Sequence, residues 1–542
     1  MKLIYKGKEF EVNAATYAEA CASLGITDAL GVMVGGNPRN LMDRADRDAS
    51  VLTIADEEGR RIYERSACFV FILAAKRVVP AAKVRVENSF GNGVLITLRG
   101  AKVSDTLVEE LEREMNTICA ADLPFIRSSV STEEAMEYFR AAGETDKVEL
   151  LAFRRKPTFT LYECGGMKDY FYGEMAASTA AVKVFGLTRV GDSVILRRQD
   201  AQTGLAAAYK PMPQLLETFK ESNRWGRILE VENAADLNKL ILNGNLREFI
   251  RVNEALMDMR INRIADEIVQ RGARLILIAG PSSSGKTTFC NRLAIALRVH
   301  GEKPVKLSLD DYYRNRDECP RDENGEVDLE CVEALDVPLI DEQLSRILKG
   351  ETVDMPTFDF KTGRRSSVTH PVRVDTDAPI LIEGIHGLND ALTASIPAEQ
   401  KFKIYISALT NLNIDDHNRI RTTEARLVRR CVRDAAFRGT PVNDTLSMWE
   451  SVRRGEEKNI FPFQEQADVM INSCTVYELA IMKKYIYDEL QKITPENPNY
   501  SLARRIVKFL NYIESADAED EIPLNSLVRE FVGGSCFYRD EE

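Results

Sequence analysis

The chain carries three short apolar runs of strand length in its second half, each followed by a polar turn and then by residues with helical spacing. Leu275-Ile-Leu-Ile-Ala279 runs straight into Gly280-Pro-Ser-Ser-Ser-Gly285, and Thr288 to Arg298 then reads as a helix. Val305 to Leu309 ends in Asp310-Asp311, and Ala378 to Ile382 ends in Glu383. Strands alternating with helices predict a parallel sheet with helices on both faces, an α/β fold whose ligands sit at the carboxyl ends of the strands. All three strand-end motifs can therefore meet in one crevice.

The first half has a different rhythm. Lys2 to Tyr5 and Glu9 to Val12 flank a Lys6-Gly7-Lys8 turn and predict a hairpin. With a helix at Tyr17 to Leu24 and strands at Leu30 to Val34 and Ser50 to Ile54, they give a small β-grasp-like pattern. Helices at Tyr63 to Lys76 and Asp105 to Thr117, strands at Ala82 to Asn88 and Val94 to Leu98, and a helix opened by Ser131-Thr132-Glu133-Glu134 predict an α+β domain. The expected organisation is 1–58 β-grasp, 61–200 α+β, 201–270 helical connector, 271–490 α/β and a 491–542 helical tail with an acidic loop at Asp517 to Glu521. The long amphipathic stretch from Asn245 to Arg271 is expected to join the halves.

Composition narrows the partners. Of 542 residues, 44% are hydrophobic and 29% charged, as in an ordinary globular chain. A net charge of −12 argues against broad electrostatic binding to nucleic acid, so any phosphate partner is held locally. Ten cysteines without a Cys-x-x-Cys pair, and a start without a signal-type apolar core, lead us to expect reduced thiols and a cytoplasmic location. No run of about 18 apolar residues occurs, so a membrane partner is not expected.

The chemistry concentrates after the first of the apolar runs. Gly280 and Gly285 bracket Pro281, Ser282, Ser283 and Ser284, and Lys286, Thr287 and Thr288 follow. Such a loop turns backbone N–H groups toward phosphate, with Lys286 as cation and Thr287 as a hydroxyl ligand for Mg²⁺. ATP and Mg²⁺ are thus the expected ligands. A glycine-rich turn before a helix is the bland reading, and the strand before and helix after weigh against it. Phosphoryl transfer also needs a base and a metal-side acid. Asp310 is the candidate base with Asp311 its rival, Glu383 is the candidate metal-side acid, and His386 reads as structural. Arg426, Arg430 and Arg433 recur at helical spacing on one side, in a run that also holds Arg429 and Arg438. They suit closure over polyphosphate, against the alternative of a solvated charged face.

Residues 274 to about 475 resemble the uridine kinase and phosphoribulokinase family. The similarity runs through the phosphate loop, Leu307-Ser-Leu-Asp310-Asp-Tyr-Tyr-Arg, Asp328-Leu-Glu330, Met355-Pro-Thr-Phe-Asp359-Phe360, Leu381-Ile-Glu383-Gly-Ile-His386, and the arginine run. The resemblance implies a P-loop kinase in which Asp310 is general base toward a ribose 5′-hydroxyl, with Lys286, Glu383 and Arg433 as catalytic partners. It also implies Tyr313, Glu330, Phe358, Phe360 and Arg430 around the substrate and Arg430, Arg433 and Arg438 around the phosphates. Where uridine kinases read the pyrimidine with a tyrosine and a histidine, this chain places Phe358 and Gly363, so the expected acceptor is a nucleoside or similar small hydroxyl compound rather than uridine specifically.

The front half resembles the N-terminal region of threonyl-tRNA synthetases: a ubiquitin-like TGS domain, then an editing-type domain. The carriers are Lys83-Val-Arg-Val-Glu with Gly91-Asn-Gly, Leu123-Pro-Phe-Ile-Arg through Ala135, Gly166-Met-Lys-Asp-Tyr, and Val184-Phe-Gly-Leu-Thr-Arg-Val. Editing domains use a His-x-x-x-His pair and a later Cys/His pair, yet no histidine precedes His300. Arg65-Ser-Ala-Cys-Phe69 and Phe171-Tyr-Gly-Glu-Met175 stand in those places, and Cys68 and Cys164 read as buried small hydrophobes. A degenerate domain kept for binding, regulation or assembly is expected, with tRNA or a small ligand as its contact and an oligomer left open. The rival reading of the whole chain is an RNA-binding P-loop ATPase, and a kinase of another small alcohol is the third.

Overall fold

A computed structural model describes residues 1–321, 325, 327–359 and 362–538. Strands Leu275–Ala279, Val305–Ser308, Ile380–Glu383, Lys401–Ser407 and Val469–Asn472 form one parallel sheet, in the spatial order 305, 380, 275, 401, 469 by first residue. Period-2 alternation divides its side chains between two cores. Ile276 and Ile278 face helices Lys286–Val299 and Leu246–Arg271, packing among Leu293, Leu297, Ile261 and Ile264. Leu275 and Leu277 face Ile340 and Leu344 of helix Val337–Leu348. Burial on both faces is why these strands read as continuous apolar runs.

Two of these strands, Lys401–Ser407 and Val469–Asn472, were not evident from pattern. Strand Lys401–Ser407 is fully buried although it carries two lysines, because Lys401 and Lys403 both reach Asp390, at 3.5 and 2.8 Å. Helix Leu246–Arg271, expected as a link between the halves, is a layer of the α/β unit: Arg292 on the phosphate-loop helix pairs with its Asp258 at 2.6 Å.

In the front half, strands Lys2–Tyr5, Lys8–Glu11, Gly31–Val34, Asn37–Arg39 and Ala49–Leu52 form a mixed sheet beside helix Tyr17–Ser23, whose cap is Thr16. Helix Glu57–Val78 begins earlier than the expected Tyr63 and is buried along most of its length against the antiparallel sheet of Lys83–Phe90, Gly93–Arg99, Gly186–Val190 and Ser193–Arg197. Ser131 and Glu134 cap helix Thr132–Ala142 reciprocally, as their spacing predicts.

The halves meet along residues 408–421, the loop between strand Lys401–Ser407 and helix Thr422–Phe437. Asn88 and Asn413 side chains donate to Thr410 and Val86 carbonyls, each at 2.8 Å, and the Val86 N–H donates to the Asp416 carbonyl at 2.8 Å. Charges reinforce the seam: Arg85 pairs with Asp416, Glu64 with Arg419 and Arg421, and Arg61 with Glu424 at 2.7 Å. His417 sits 2.6 Å from Asp169 and 3.0 Å from Lys147, all three buried. Isolated charges could not be buried here, so each is answered across the seam. No helix among the described residues is long and apolar enough to cross a membrane.

Candidate functional site

The phosphate loop is shaped by two glycines and one strained serine. A Cβ on Gly280 would lie 2.0 Å from the Ile406 carbonyl oxygen, so no other residue fits beside the neighbouring strand. Gly285 (φ 85°) begins helix Lys286–Val299, and Ser283 takes a left-handed φ of 59°. Pro281 accepts from Lys286 Nζ at 3.3 Å, and the buried Ser283 and Ser284 hydroxyls have no partner among the described residues.

Thr287 Oγ1, in the first turn of helix Lys286–Val299, donates at 3.2 Å to Glu383 Oε1 at the end of strand Ile380–Glu383. This hard oxygen pair at the mouth of a phosphate loop fits Mg²⁺, which takes few protein oxygens and keeps the rest for phosphate and water. Burial pushes the Glu383 carboxyl up to about 7, with Asp310 adding to the rise and Lys286 opposing it. The three groups are therefore electrostatic neighbours, though they are distant in sequence.

Asp310 differs from the expected strand-end position. The strand stops at Ser308, and Leu309–Tyr312 form a 3₁₀ turn in which Ser308 Oγ accepts from the Asp310 N–H at 3.2 Å. Burial and neighbouring Asp311 raise the Asp310 carboxyl above its ordinary range, against Lys286 and Arg438. A carboxylate whose proton affinity is raised in this way is a better acceptor for a hydroxyl proton than an ordinary aspartate.

Glu330 is the other strongly shifted acid. Burial and Glu456 push it up to about 7, against Arg430 and Lys286. One of its carboxylate oxygens has no hydrogen-bond partner among the described residues. Tyr313 donates to the Leu329 carbonyl at 3.1 Å, and its ring lies 5.6 Å from that of Phe358. Both rings are buried, and Phe360 lies outside the described residues. Gly363 takes φ +69°, with Arg316 Cδ 2.4 Å from where a Cβ would be. The backbone itself thus disfavours a histidine there. Burial pushes His386 down to about 4, which fits a structural, neutral imidazole.

The arginine run divides in two. Arg426 and Arg429 are 1% and 0% exposed and pair with Glu456 and Glu478. They donate to the carbonyls of Ser282 and Ser283, at 2.8 and 3.4 Å, and so brace the loop from behind instead of facing a polyphosphate. This corrects the expectation for Arg426, since a guanidinium committed to two buried partners cannot also close over a ligand. Arg430 reaches the Ser282 hydroxyl at 2.9 Å, while Arg433 and Arg438 lean on Asp434, at 2.8 and 3.7 Å.

Pattern reading missed the tail. Glu530 accepts from both Thr288 N–H and Oγ1, and Leu527 packs against Gly285. Phe531 lies under the Arg429 guanidinium at 4.9 Å. No local signal announces a carboxylate that meets its partner 242 residues away. In the front half, Arg65 fills the place expected of a metal-ligating pair, donating to the Glu174 carbonyl at 2.9 Å. Cys68 and Cys164 pack in the same core, and burial pushes their thiols up to about 12 and 11.

Comparison with known proteins follows the same division. Residues 275–480 match the sequence model of the Phosphoribulokinase / Uridine kinase family. A uridine kinase of Bacillus pumilus is 30% identical over 198 residues, 36% of this chain and 85% of that protein. Uridine kinase-like protein 3 of Arabidopsis thaliana is 26% identical over 219 residues, 40% of this chain and 43% of that protein. The N-terminal region is similar to a threonine–tRNA ligase of Symbiobacterium thermophilum, 35% identical over 185 residues, 32% of this chain and 28% of the ligase. The chain thus spans less than half the length of the last two of these curated relatives.

Proposed function

Since the chain belongs, through residues 275–480, to the Phosphoribulokinase / Uridine kinase family, we propose that it transfers the γ-phosphoryl group of ATP to the 5′-hydroxyl of a nucleoside. The observation that carries this reading is the cluster of Lys286, Thr287, Asp310 and Glu383 at or just beyond the ends of three adjacent strands, with both acids raised above their ordinary range. A switch or motor needs the loop and the metal-side acid. A second, half-buried carboxylate of raised proton affinity beside them serves an incoming hydroxyl.

In this reading Thr287 and Glu383 would hold Mg²⁺, which supplies charge neutralisation for the polyphosphate. Lys286 binds the phosphates, and Asp310 orients the acceptor hydroxyl and takes its proton. Arg430, Arg433 and Arg438 offset the charge that develops in transfer. Glu330 receives the sugar hydroxyls, and Tyr313 and Phe358 shape the ring side of the pocket. Phe358 has no donor and Gly363 no side chain, so the acceptor is read by shape more than by polar contacts to a base.

The front half, proposed as a β-grasp domain over 1–58 and a non-editing α+β domain over 61–200, acts here as a regulatory or binding module. Its hold on residues 408–421, just before the arginine helix, supports that role. The test is direct: incubate the full chain with labelled ATP, Mg²⁺ and a panel of nucleosides and sugar alcohols, and look for monophosphate. Hydrolysis of ATP without transfer to any nucleoside refutes the reading.

A further inference from the structure

A cleft lies away from the phosphate loop, between the front half and the helices Glu478–Gln491 and Tyr500–Leu510. Its volume is about 680 Å³, in the range of small-ligand sites. The chain as a whole is acidic, yet seven lysines and arginines line this cleft against two glutamates.

Both glutamates are already committed. Glu174 pairs with Arg127 at 3.0 Å and Glu514 with Arg155 at 3.0 Å. Arg154, Lys156, Lys483, Arg504 and Lys508 are left without an ion pair among the described residues. Arg154 donates to the Thr158 carbonyl at 2.8 Å and Lys483 to the Ile513 carbonyl at 2.6 Å, which fixes their positions without neutralising them. Burial lowers the Lys508 ammonium below its ordinary range, and the nearby Arg65 and Arg504 lower it further, with Glu174 and Glu58 opposing. Burial also lowers Lys483. Mutually repelling cations gathered in a concave site destabilise it until an anion arrives.

The remaining lining is aromatic. Phe153, Tyr172 and Tyr487 are among seven aromatic side chains on the walls. Flat rings beside unpaired cations suit a ligand with a planar base and several negative charges.

We propose that this cleft binds a free nucleotide carrying at least two phosphate charges, as a second site distinct from the phosphate loop. The phosphates lie against Arg504, Lys508 and Lys156, and the base lies among the aromatic walls. Because the lining comes from both halves, the occupant ties them together. The Tyr172 hydroxyl donates to the Arg419 carbonyl at 2.5 Å, three residues before helix Thr422–Phe437, so occupancy is linked to the segment that carries Arg426 and Arg430. The proposal does not depend on the acceptor of the kinase reading.

Equilibrium dialysis of the full chain with radiolabelled ATP, UTP, GTP and CTP counts sites per chain. Two sites are expected for at least one of these nucleotides. Lys286→Ala weakens one of them, and Arg504→Glu with Lys508→Glu weakens the other by about tenfold or more, since each lost charge-assisted contact is worth at least about 1.4 kcal/mol. Neither side chain belongs to the hydrophobic core, and Arg504→Gln with Lys508→Gln serves as a milder pair. An unchanged thermal midpoint confirms that either pair still folds. A single site that survives Arg504→Glu with Lys508→Glu unaltered overturns the proposal. So does a chain whose Arg504 and Lys508 are needed for binding tRNA while no mononucleotide binds there.

Discussion

The Glu530 carboxylate accepts hydrogen bonds from the backbone N–H and the hydroxyl of Thr288, at 3.2 and 2.7 Å, and so caps the phosphate-loop helix with an anion from the far end of the chain. It stabilises the helix N-terminus and at the same time sets a negative charge beside the place expected for ATP. Glu530→Gln should therefore lower stability by about 1 kcal/mol while lowering the KM for ATP roughly two- to fivefold. Thermal melting with steady-state kinetics checks both directions, and a raised KM counts against the electrostatic part.

Glu330 titrates from 4.5 in the unfolded chain to about 7 in the folded one. The folded state holds this proton more tightly, so its contribution is full below about pH 4.5 and is lost as pH rises through about 7. Glu330→Gln keeps the shape and removes the cost. Stability at pH 8 should rise by up to about 3 kcal/mol, with little change at pH 4.5, by denaturant titration at the two pH values.

Glu383 is expected to be active as the carboxylate, and burial raises it to about 7. The rate at subsaturating Mg²⁺ should fall as pH drops below 7, and excess Mg²⁺ should move that fall to lower pH, because metal binding favours the ionised acid. A pH profile indifferent to Mg²⁺ contradicts the assignment.

Arg429 is fully buried, paired with Glu478 and stacked on Phe531. Removing one partner of such a pair leaves the other charge buried, so Arg429→Ala should cost about 3–5 kcal/mol, whereas Arg429→Met with Glu478→Met should recover much of it. Gly363→His offers a complementary check at the acceptor side. With φ +69° and Arg316 in the way, it should destabilise the chain by about 1–3 kcal/mol and fail to create uridine preference.

What the sequence revealed was what its neighbours dictate. The phosphate loop, the acids at or just after the ends of strands, and the capping box at Ser131 and Glu134 depend on residues a few positions apart, and they stand where pattern put them. The buried strand Lys401–Ser407 escaped because its lysines are answered by Asp390 through the fold. The arginine run was legible as a helix, yet which arginines face inward is settled by Glu456 and Glu478 on other helices. Glu530 and the seam along residues 408–421 are long-range pairings, and no periodicity encodes them.

The role proposed for Asp310 is to take the proton of an acceptor hydroxyl during phosphoryl transfer. Single-turnover formation of nucleoside monophosphate by Asp310→Asn tests it, with ATP affinity measured in parallel. Transfer should fall roughly 10²–10⁴-fold with ATP affinity nearly unchanged. Undiminished transfer by Asp310→Asn would contradict it.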